Sequence, residues 1–219
     1  CLSMVFSFIF RFWEDIQTVM WDKYNFDNFT LRLARDLSEV EAAQRLRYDV
    51  FIDEMGANSD FADHDARLEI DKFDEYCDHL LLFDNNELDK NMGVVGVYRV
   101  LPYHKLPTFA DYYSHEEYDL KKLKTSGRKI MELGRSCVHR SYRDGTALTY
   151  LWAGLSKYVE YNGIEILFGV ASFHGTDPSR IASSLSLLHY NYLAPPDLMV
   201  NAKSPNNHRM DLVDLHKVD

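Results

Sequence analysis

The stretch that most restricts the fold runs from Lys129 to Ser172, where an apolar run, a glycine-containing turn, an amphipathic segment and a second apolar run follow one another. KIMELGRSCVH predicts a buried strand, and EILFGVAS predicts another. Between them the large apolar side chains recur at helical spacing: Leu148, Leu151, Trp152, Leu155 and Val159. A helix with one apolar face must bury it against a sheet, so an α/β layer is expected.

The other apolar runs extend this unit to the order β-α-β-β-β-α-β-α-β, a mixed α/β layer built on one sheet. The stretch SEVE predicts a capping box, with Ser38 as the cap and Glu41 three residues later, for a helix that ends at Gly56. Asp177 and the following proline predict the start of another helix. Further strands are expected at Thr30–Arg35, His79–Phe83, Gly93–Leu101 and after the break at LAPPDLMV.

Composition favours one globular domain, because 219 residues with 46% hydrophobic content can bury a substantial core. We expect one α/β domain over residues 30–219, preceded by an apolar, amphipathic segment over residues 1–29. That segment, CLSMVFSFIFRFW in its first part, either lies in a membrane interface or packs on the domain as a helix. The three cysteines fit no metal-ligand spacing, which indicates a reducing compartment, and no metal site is expected.

Charge is distributed unevenly along this acidic chain, whose net charge is −10. Acidity disfavours nucleic acid as a partner. From Asp53 to Asp78 there are ten acidic and two basic residues, whereas Lys121 to Arg143 holds eight basic residues and one acidic residue. Either one region suits a cation and the other an anion, or both are solvated faces.

The turn ahead of the second predicted helix has the parts of an anion site. The stretch HRSYRDGTALTYLW joins a strand to a helix N-terminus through Gly145, with Arg140 and Arg143 beside it. First-turn amides are unpaired, and the helix dipole places partial positive charge there. The pattern predicts a phosphate or pyrophosphate site, although many strand–helix junctions contain a glycine.

Four stretches, LRYDVFIDEMG, EIDKFDEYCDHLLLF, VGVYRVLP and the block from Met131 to Phe173, together resemble the acyl-transferring branch of the Gcn5-related N-acetyltransferase (GNAT) superfamily. Within it the chain is most similar to the ornithine N-alpha-acyltransferases of bacterial ornithine-lipid synthesis, with acyl-homoserine-lactone synthases as more distant relatives. The resemblance implies a GNAT-like fold, a central mixed sheet flanked by helices. RDGTA has one residue fewer than the usual superfamily loop. Relatives continue past RMDLVDL, so C-terminal truncation is expected.

The resemblance implies transfer of a (3-hydroxy)acyl chain from the phosphopantetheine thioester of acyl carrier protein to the α-amine of ornithine or a similar amino acid, giving a lyso-ornithine lipid. The donor is a substrate, and no separate cofactor is implied. The resemblance assigns the phosphopantetheine contacts to Arg140, Arg143, Gly145 and Thr146. The acidic carrier is expected on the basic run: Lys121, Lys122, Lys124, Arg128 and Lys129.

The acceptor that the resemblance implies, ornithine, is cationic, which suits the acidic run from Asp53 to Asp78. Asp71 and Asp74 are candidates to hold the side-chain ammonium of ornithine, and the alternative is that they pair with Arg47 and Arg99. The other residues assigned to the substrate pocket are Arg47, Phe51, Arg99, Arg135 and Ser136.

For the chemistry, Glu132 is the first candidate for a general base, directly or through a water. Its alternative is a buried salt bridge with Arg99 or Arg135. His139 is the other candidate base or a phosphate contact, and backbone amides from Gly134 to Ser136 are candidates for the oxyanion site. Cys137 is a minor candidate for a covalent step.

Three other functions remain open at this stage: an acyl-homoserine-lactone synthase, which needs S-adenosylmethionine, another long-chain N-acyl amino acid synthase, and an inactive protein that binds acyl carrier protein or membrane. In every case a cytoplasmic protein is expected, with peripheral contact to the inner membrane.

Overall fold

The computed structural model describes the backbone of residues 2–5 and 8–9, and describes fully residues 23–57, 62–87, 92–173, 175, 177–205 and 207–214. Its main sheet has eight strands: β1 (Leu2–Val5), β2 (Phe8–Ile9), β3 (Tyr24–Phe26), β4 (Phe29–Leu33), β7 (Asp78–Asp84), β8 (Val94–Pro102), β10 (Ile130–Val138) and β11 (Ile166–Phe173). Four two-residue strands form two small separate sheets: β5 (Ala62–Asp63), β6 (Leu68–Glu69), β9 (Tyr118–Asp119) and β12 (Asn201–Ala202). The α-helices are α1 (Leu37–Arg47), α2 (Lys121–Thr125), α3 (Thr146–Asn162) and α4 (Ala182–Asn191).

The main sheet is mixed, as predicted, and its strand order is β1-β11-β10-β8-β7-β4-β3, with β2 also on β11. Only β10 and β11 run parallel, and every other neighbouring pair is antiparallel. The central strands β7 and β8 are almost continuously apolar and buried. Strands of that composition are covered on both faces. Here α3 packs on one face, while α1 and the segment between β8 and β10 pack on the other.

Helix α1 starts earlier than the sequence predicts. Its N-cap is Asp36, whose carboxylate accepts a hydrogen bond from the Glu39 amide at 3.0 Å. Glu39 reaches back to accept from the Arg35 amide at 2.8 Å. The capping box is therefore DLSE, and the prediction centred on Ser38 and Glu41 is wrong by two residues. Helical backbone continues past α1 as a π-helix, Tyr48–Glu54, which ends ahead of Gly56 as expected.

Near both ends of the chain the structure differs from the predicted layer built on one sheet. Strand β3 forms a hairpin with β4, inside the stretch that the sequence assigns to the N-terminal segment. Residues 2–5 and 8–9 pair antiparallel with β11. Residues 1, 6–7 and 10–22 of the predicted interfacial or helical segment lie outside the described residues. Near the C-terminus Asp177 caps a short 3₁₀ turn before α4, and β12 pairs with β9 instead of joining the main sheet. None of the described helices is long and apolar enough to cross a membrane.

Close approach of α3 to the sheet depends on Gly154. A Cβ built at this glycine would collide with the Leu31 side chain and would lie 3.2 Å from Leu80. We therefore expect Gly154→Ala to lower the free energy of unfolding by about 1–3 kcal/mol, because overpacking forces α3 outward. Urea denaturation measures this, with Ser156→Ala on the exposed side of the same helix as the control. Equal stability of the two variants would contradict the packing argument.

Candidate active site

The main opening in the sheet lies between β10 and β11. Their parallel pairing extends only from Ile130 opposite Ile166 to Leu133 opposite Gly169. Beyond that point the strands separate and border a cleft of about 840 Å³. The π-helix residues Val50, Phe51 and Ile52 and the start of α3 form its other sides. The cleft is therefore a gap in a hydrogen-bonded sheet, with a strand edge open toward it.

A β-bulge begins where the gap opens. Gly134 pairs with Arg99 and Cys137 pairs with Val97, so Arg135 and Ser136 together oppose the single residue Tyr98. Arg135 has φ of 49°, a left-handed conformation that is uncommon for a residue with a side chain. Ser136 is exposed to the cleft. The bulge thus places backbone groups at the inner end of the cleft, where the predicted oxyanion site lies.

The other end of the cleft is the N-terminus of α3. Gly145 has φ of 99°, a conformation that glycine adopts at little cost, and it is exposed on the cleft. The Thr146 amide donates to the Asp144 carboxylate at 2.9 Å. Within the described part of the chain no acceptor is recorded for the Gly145 or Ala147 amide. The predicted turn forms an exposed helix N-terminus, with one of its amides already used.

The arginines of this turn differ in their partners. The Arg143 guanidinium binds Glu54 of the π-helix through both terminal nitrogens, one of them at 2.9 Å, and its Nε donates to the Val138 carbonyl at 2.9 Å. Arg140 is exposed, and the described residues include no hydrogen-bond partner for it. The hydrogen bonds from Arg143 hold the pKa of Glu54 below its usual value, and the charges of Arg140 and His139 act in the same direction.

Glu132 is buried on β10 and is held by the segment between β8 and β10. Its Oε2 accepts from the Tyr113 amide at 2.8 Å, and its Oε1 accepts from the amide of Ser114 at 2.7 Å and from the Ser114 hydroxyl. Burial raises the pKa of Glu132, and the hydrogen bonds from Ser114 and Tyr113 offset part of that rise. The predicted alternative, a salt bridge to Arg99 or Arg135, is wrong.

Glu132 lines a small cavity of about 50 Å³ that adjoins the cleft, because both are bordered by Leu133, Gly134, Arg135 and Val170. That volume holds a few water molecules. A carboxylate has about four acceptor positions, and three are occupied here, so one position on Oε2 remains for a water or an amine.

A buried group of six charged residues, the ionic cluster, lies behind the bulge. It consists of three arginines and three carboxylates: Arg47, Arg99, Arg135, Glu69, Asp71 and Asp74. Arg47 binds both oxygens of Asp74, at 2.8 and 2.7 Å, and Arg99 binds Asp71 at 2.5 Å and Asp74 at 2.7 Å. Arg135 joins Glu69 at 2.9 Å to Asp71 at 3.0 Å.

The ionic cluster decides between the two interpretations of Asp71 and Asp74. Burial opposes the charged form of Asp74, but the hydrogen bonds and charges of Arg47 and Arg99 outweigh it and hold its pKa far below its usual value. Both aspartates are already neutralised by arginine, so they are not available to a substrate ammonium. The prediction that they hold ornithine is wrong, and the alternative pairing with Arg47 and Arg99 is confirmed.

The basic run is not one free patch. Lys124 pairs with Asp111 at 2.7 Å, and Arg128 pairs with Glu165 at 2.6 Å. Lys121 to Lys129 precede β10, whereas Gly145 follows its other end, and nine strand residues span roughly 30 Å. The predicted carrier-docking residues therefore lie at the far end of the strand from the turn that is predicted to bind phosphate, His139 to Thr146, which is called the phosphate turn below. They do not surround a phosphate bound there.

Other predicted residues are divided between the cleft and its surroundings. Phe51, Ser136, Arg143 and Gly145 line the cleft, as expected. His139 instead accepts a hydrogen bond from the Ser141 amide at 3.4 Å and packs against Tyr142, so it belongs to the phosphate turn and not to the cavity of Glu132. Burial raises the pKa of the Cys137 thiol to about 12, which disfavours a thiolate nucleophile.

Sequence reasoning missed residues that come from distant stretches. Glu54 lies 89 residues from Arg143, and Ser114 lies 18 residues from Glu132 in a segment with no recognisable motif. The sequence prediction also left out Asp144, which lies inside the predicted phosphate-binding loop itself. A carboxylate within a proposed anion site is a visible signal, because it opposes anion binding.

Comparison with known proteins identifies the family. A family model described as an acetyltransferase (GNAT) domain matches residues 46–153. The L-ornithine N(alpha)-acyltransferase of Rhodobacter capsulatus is 45% identical over 193 residues, 88% of this chain and 74% of its own length. That of Brucella abortus is 38% identical over 186 residues, 84% of this chain and 66% of its own length.

Among solved structures, an N-acyl amino acid synthase from uncultured soil microbes is 18% identical with a TM-score of 0.47, over 73% of this chain and 77% of its own. The chain spans 74% of the length of the first acyltransferase and 66% of the length of the second. The resemblance drawn from the sequence motifs is thus confirmed: this chain belongs to the L-ornithine N(alpha)-acyltransferase family and carries a GNAT domain.

Proposed function

We propose that the protein transfers a (3-hydroxy)acyl chain from the phosphopantetheine thioester of acyl carrier protein to the α-amine of ornithine. The observation that carries the proposal is the gap between β10 and β11, which connects the exposed N-terminus of α3 with the cavity of Glu132. A donor whose phosphate binds at Gly145 can extend through this gap and place its thioester beside the buried carboxylate. The name of four curated relatives supports ornithine as the acceptor.

The gap suits an extended, amide-containing arm. Its volume of about 840 Å³ is within the range of small-molecule sites. Within the described residues, the edge of β10 beyond Leu133 has no strand partner on the β11 side. Its amide and carbonyl groups, apart from the Val138 carbonyl that Arg143 holds, are therefore available to the two amides of a phosphopantetheine arm. The apolar side chains around the cleft, such as Phe51, Met55 and Leu148, suit the hydrocarbon part of the donor.

Chemically, the reaction needs an unprotonated amine, a stabilised oxyanion and a protonated leaving thiol. An α-amino group has a pKa of about 7.7–8.0, so a modest base is enough to deprotonate it. In the proposal Glu132 takes that proton through its free Oε2 position, and the amine nitrogen then attacks the thioester carbonyl. Amides of the bulge near Arg135 hold the oxyanion. On collapse the carbon–sulfur bond breaks, and the extra proton that the attacking nitrogen still carries passes to the leaving sulfur. Glu132 then releases to solvent the proton that it took first.

The product carries a polar amino acid head and a long acyl chain, and it belongs in a bilayer. We therefore include peripheral contact with the cytoplasmic face of the inner membrane in the proposed function. Co-sedimentation of the protein with vesicles of bacterial lipid tests this part, and protein that stays in the supernatant with and without acyl donor would contradict it.

The transfer is tested by measuring free thiol released from acyl carrier protein with a panel of amino acids. We expect release with ornithine, little release with amino acids that lack a second amine, and an N-acylated product by mass spectrometry. A lactone formed only with S-adenosylmethionine would instead identify a homoserine-lactone synthase. If the protein binds acyl carrier protein but no amine causes release of its thiol, the protein is an inactive binding protein.

A further inference from the structure

Two carboxylates of the protein lie inside the anion site at the mouth of the cleft. Glu54 binds both terminal nitrogens of Arg143, and Asp144 accepts from the Thr146 amide at 2.9 Å. Both are exposed, and neither belongs to the ionic cluster. In this arrangement Glu54 takes contacts that a phosphate would otherwise make, and Asp144 takes one of the amides.

We propose that Glu54 and Asp144 determine the donor class, because they reduce the positive charge of the site to a level that suits a singly charged phosphodiester and disfavours the pyrophosphate of free coenzyme A. This inference rests on the proposed function, in which a phosphorylated pantetheine arm binds at Gly145. The arm attached to a carrier protein is a phosphodiester with one negative charge, whereas coenzyme A has a doubly charged pyrophosphate and a further phosphate on its ribose.

The charges at the site support this assignment. Arg140 and Arg143 contribute two positive charges, and Glu54 and Asp144 contribute two negative charges. What remains is the partial charge of the α3 N-terminus, about half an elementary charge. A monoanion is attracted to such a site through the helix dipole and the free amides. Because the carboxylates offset the arginines, the net positive potential at the site is small. Each further negative charge of a ligand therefore gains little attraction there, while its loss of hydration still costs free energy.

The Glu54–Arg143 pair is also suited to exchange. Its side chains are 37% and 41% exposed, and ion pairs that are exposed to this degree stabilise a fold very little. Arg143 is also fixed through Nε to the Val138 carbonyl, so it keeps its place when one carboxylate contact is replaced by a phosphate oxygen. A pair of this kind is a poor structural anchor but an effective way to set the local charge.

Binding calorimetry on the full chain at low ionic strength tests the inference, with coenzyme A and the methyl phosphodiester of 4′-phosphopantetheine as the two probes. The variants are Glu54→Gln, Asp144→Asn and the double variant, all close in shape to the original residues. The control is Glu165→Gln, which removes the same charge from an equally exposed arginine pair, Arg128–Glu165, at the other end of β10.

We expect each single variant to tighten coenzyme A binding on the order of fivefold, the double variant to tighten it further, and the phosphodiester to change less. Glu165→Gln should leave the ratio of the two affinities unchanged. An unchanged or weaker affinity of the double variant for coenzyme A would overturn the inference, as would an equal shift in Glu165→Gln. Thiol release from acyl carrier protein is measured separately, so a failure here leaves the proposed acyl transfer standing.

Discussion

Replacing Glu132 with glutamine is expected to lower the rate of acyl transfer by about 10²–10⁴-fold, the usual contribution of a general base. The carboxylate is buried beside the cleft, its pKa is raised by burial, and one acceptor position on Oε2 remains free. Glutamine keeps the shape but cannot take the proton. The measurement is kcat for thiol release, together with the melting temperature, because an amide nitrogen facing the Tyr113 or Ser114 amide also destabilises the fold.

Ser114→Ala distinguishes a catalytic role of the Glu132 carboxylate from a purely structural one. The Ser114 hydroxyl lowers the pKa of Glu132, so its removal raises that pKa and moves the acid limb of the pH–rate profile to higher pH. At pH values above the shifted limb the variant should stay active. Two outcomes would mean that Glu132 is a structural residue. One is a pH–rate profile of Ser114→Ala that does not move. The other is an activity loss in Glu132→Gln that is explained by unfolding of the variant.

Asp74→Asn should have the largest effect on stability, a loss of about 3–5 kcal/mol in the free energy of unfolding. The substitution leaves Arg47 and Arg99 buried with too little negative charge around them. Urea denaturation at neutral pH measures the loss, and Asp65→Asn, an exposed acid of the same acidic run, serves as the control. If Asp74→Asn loses no more unfolding free energy than the control, the ionic cluster tolerates a buried arginine charge that no carboxylate neutralises.

The pH dependence of that stability follows from the lowered pKa of Asp74. A carboxyl whose folded pKa is below its unfolded value of 3.8 contributes its stability fully above that value. The contribution is lost as the pH falls below about 4 toward the folded pKa. The stability difference between the original chain and Asp74→Asn should therefore shrink in acid and be constant from pH 5 upward.

The local pattern of apolar and turn-forming residues was enough to predict the strand, turn and helix on which the site is built. The strand, glycine turn and amphipathic helix from Lys129 to Asn162 all form where the sequence places them, because apolar periodicity and the turn at Gly145 agree. The cap of α1 was misplaced by two residues, since Asp36 and Ser38 are both good caps and only the fold selects between them. The strand β3 was missed because three residues with a short turn give little periodicity.

Partners within the site could not be predicted in the same way. Charge runs indicate where ionisable residues are frequent, but they do not show which ones meet. The acidic run contributes Asp71 and Asp74 to the buried arginines and Glu54 to the phosphate turn, with opposite consequences for ligand binding. Glu132 was recognised from its motif, whereas its hydrogen-bond donors come from a segment that has no motif of its own.

The open edge of β10 has a consequence for how this region tolerates change over evolutionary time. Recognition through main-chain amides and carbonyls is a property of the backbone, so it is retained when the side chains along that edge are exchanged. Proline is the exception, because it removes a donor and fixes φ. Side-chain variety along this edge is therefore compatible with an unchanged donor, whereas the left-handed residue of the bulge and the glycine of the turn leave far less freedom.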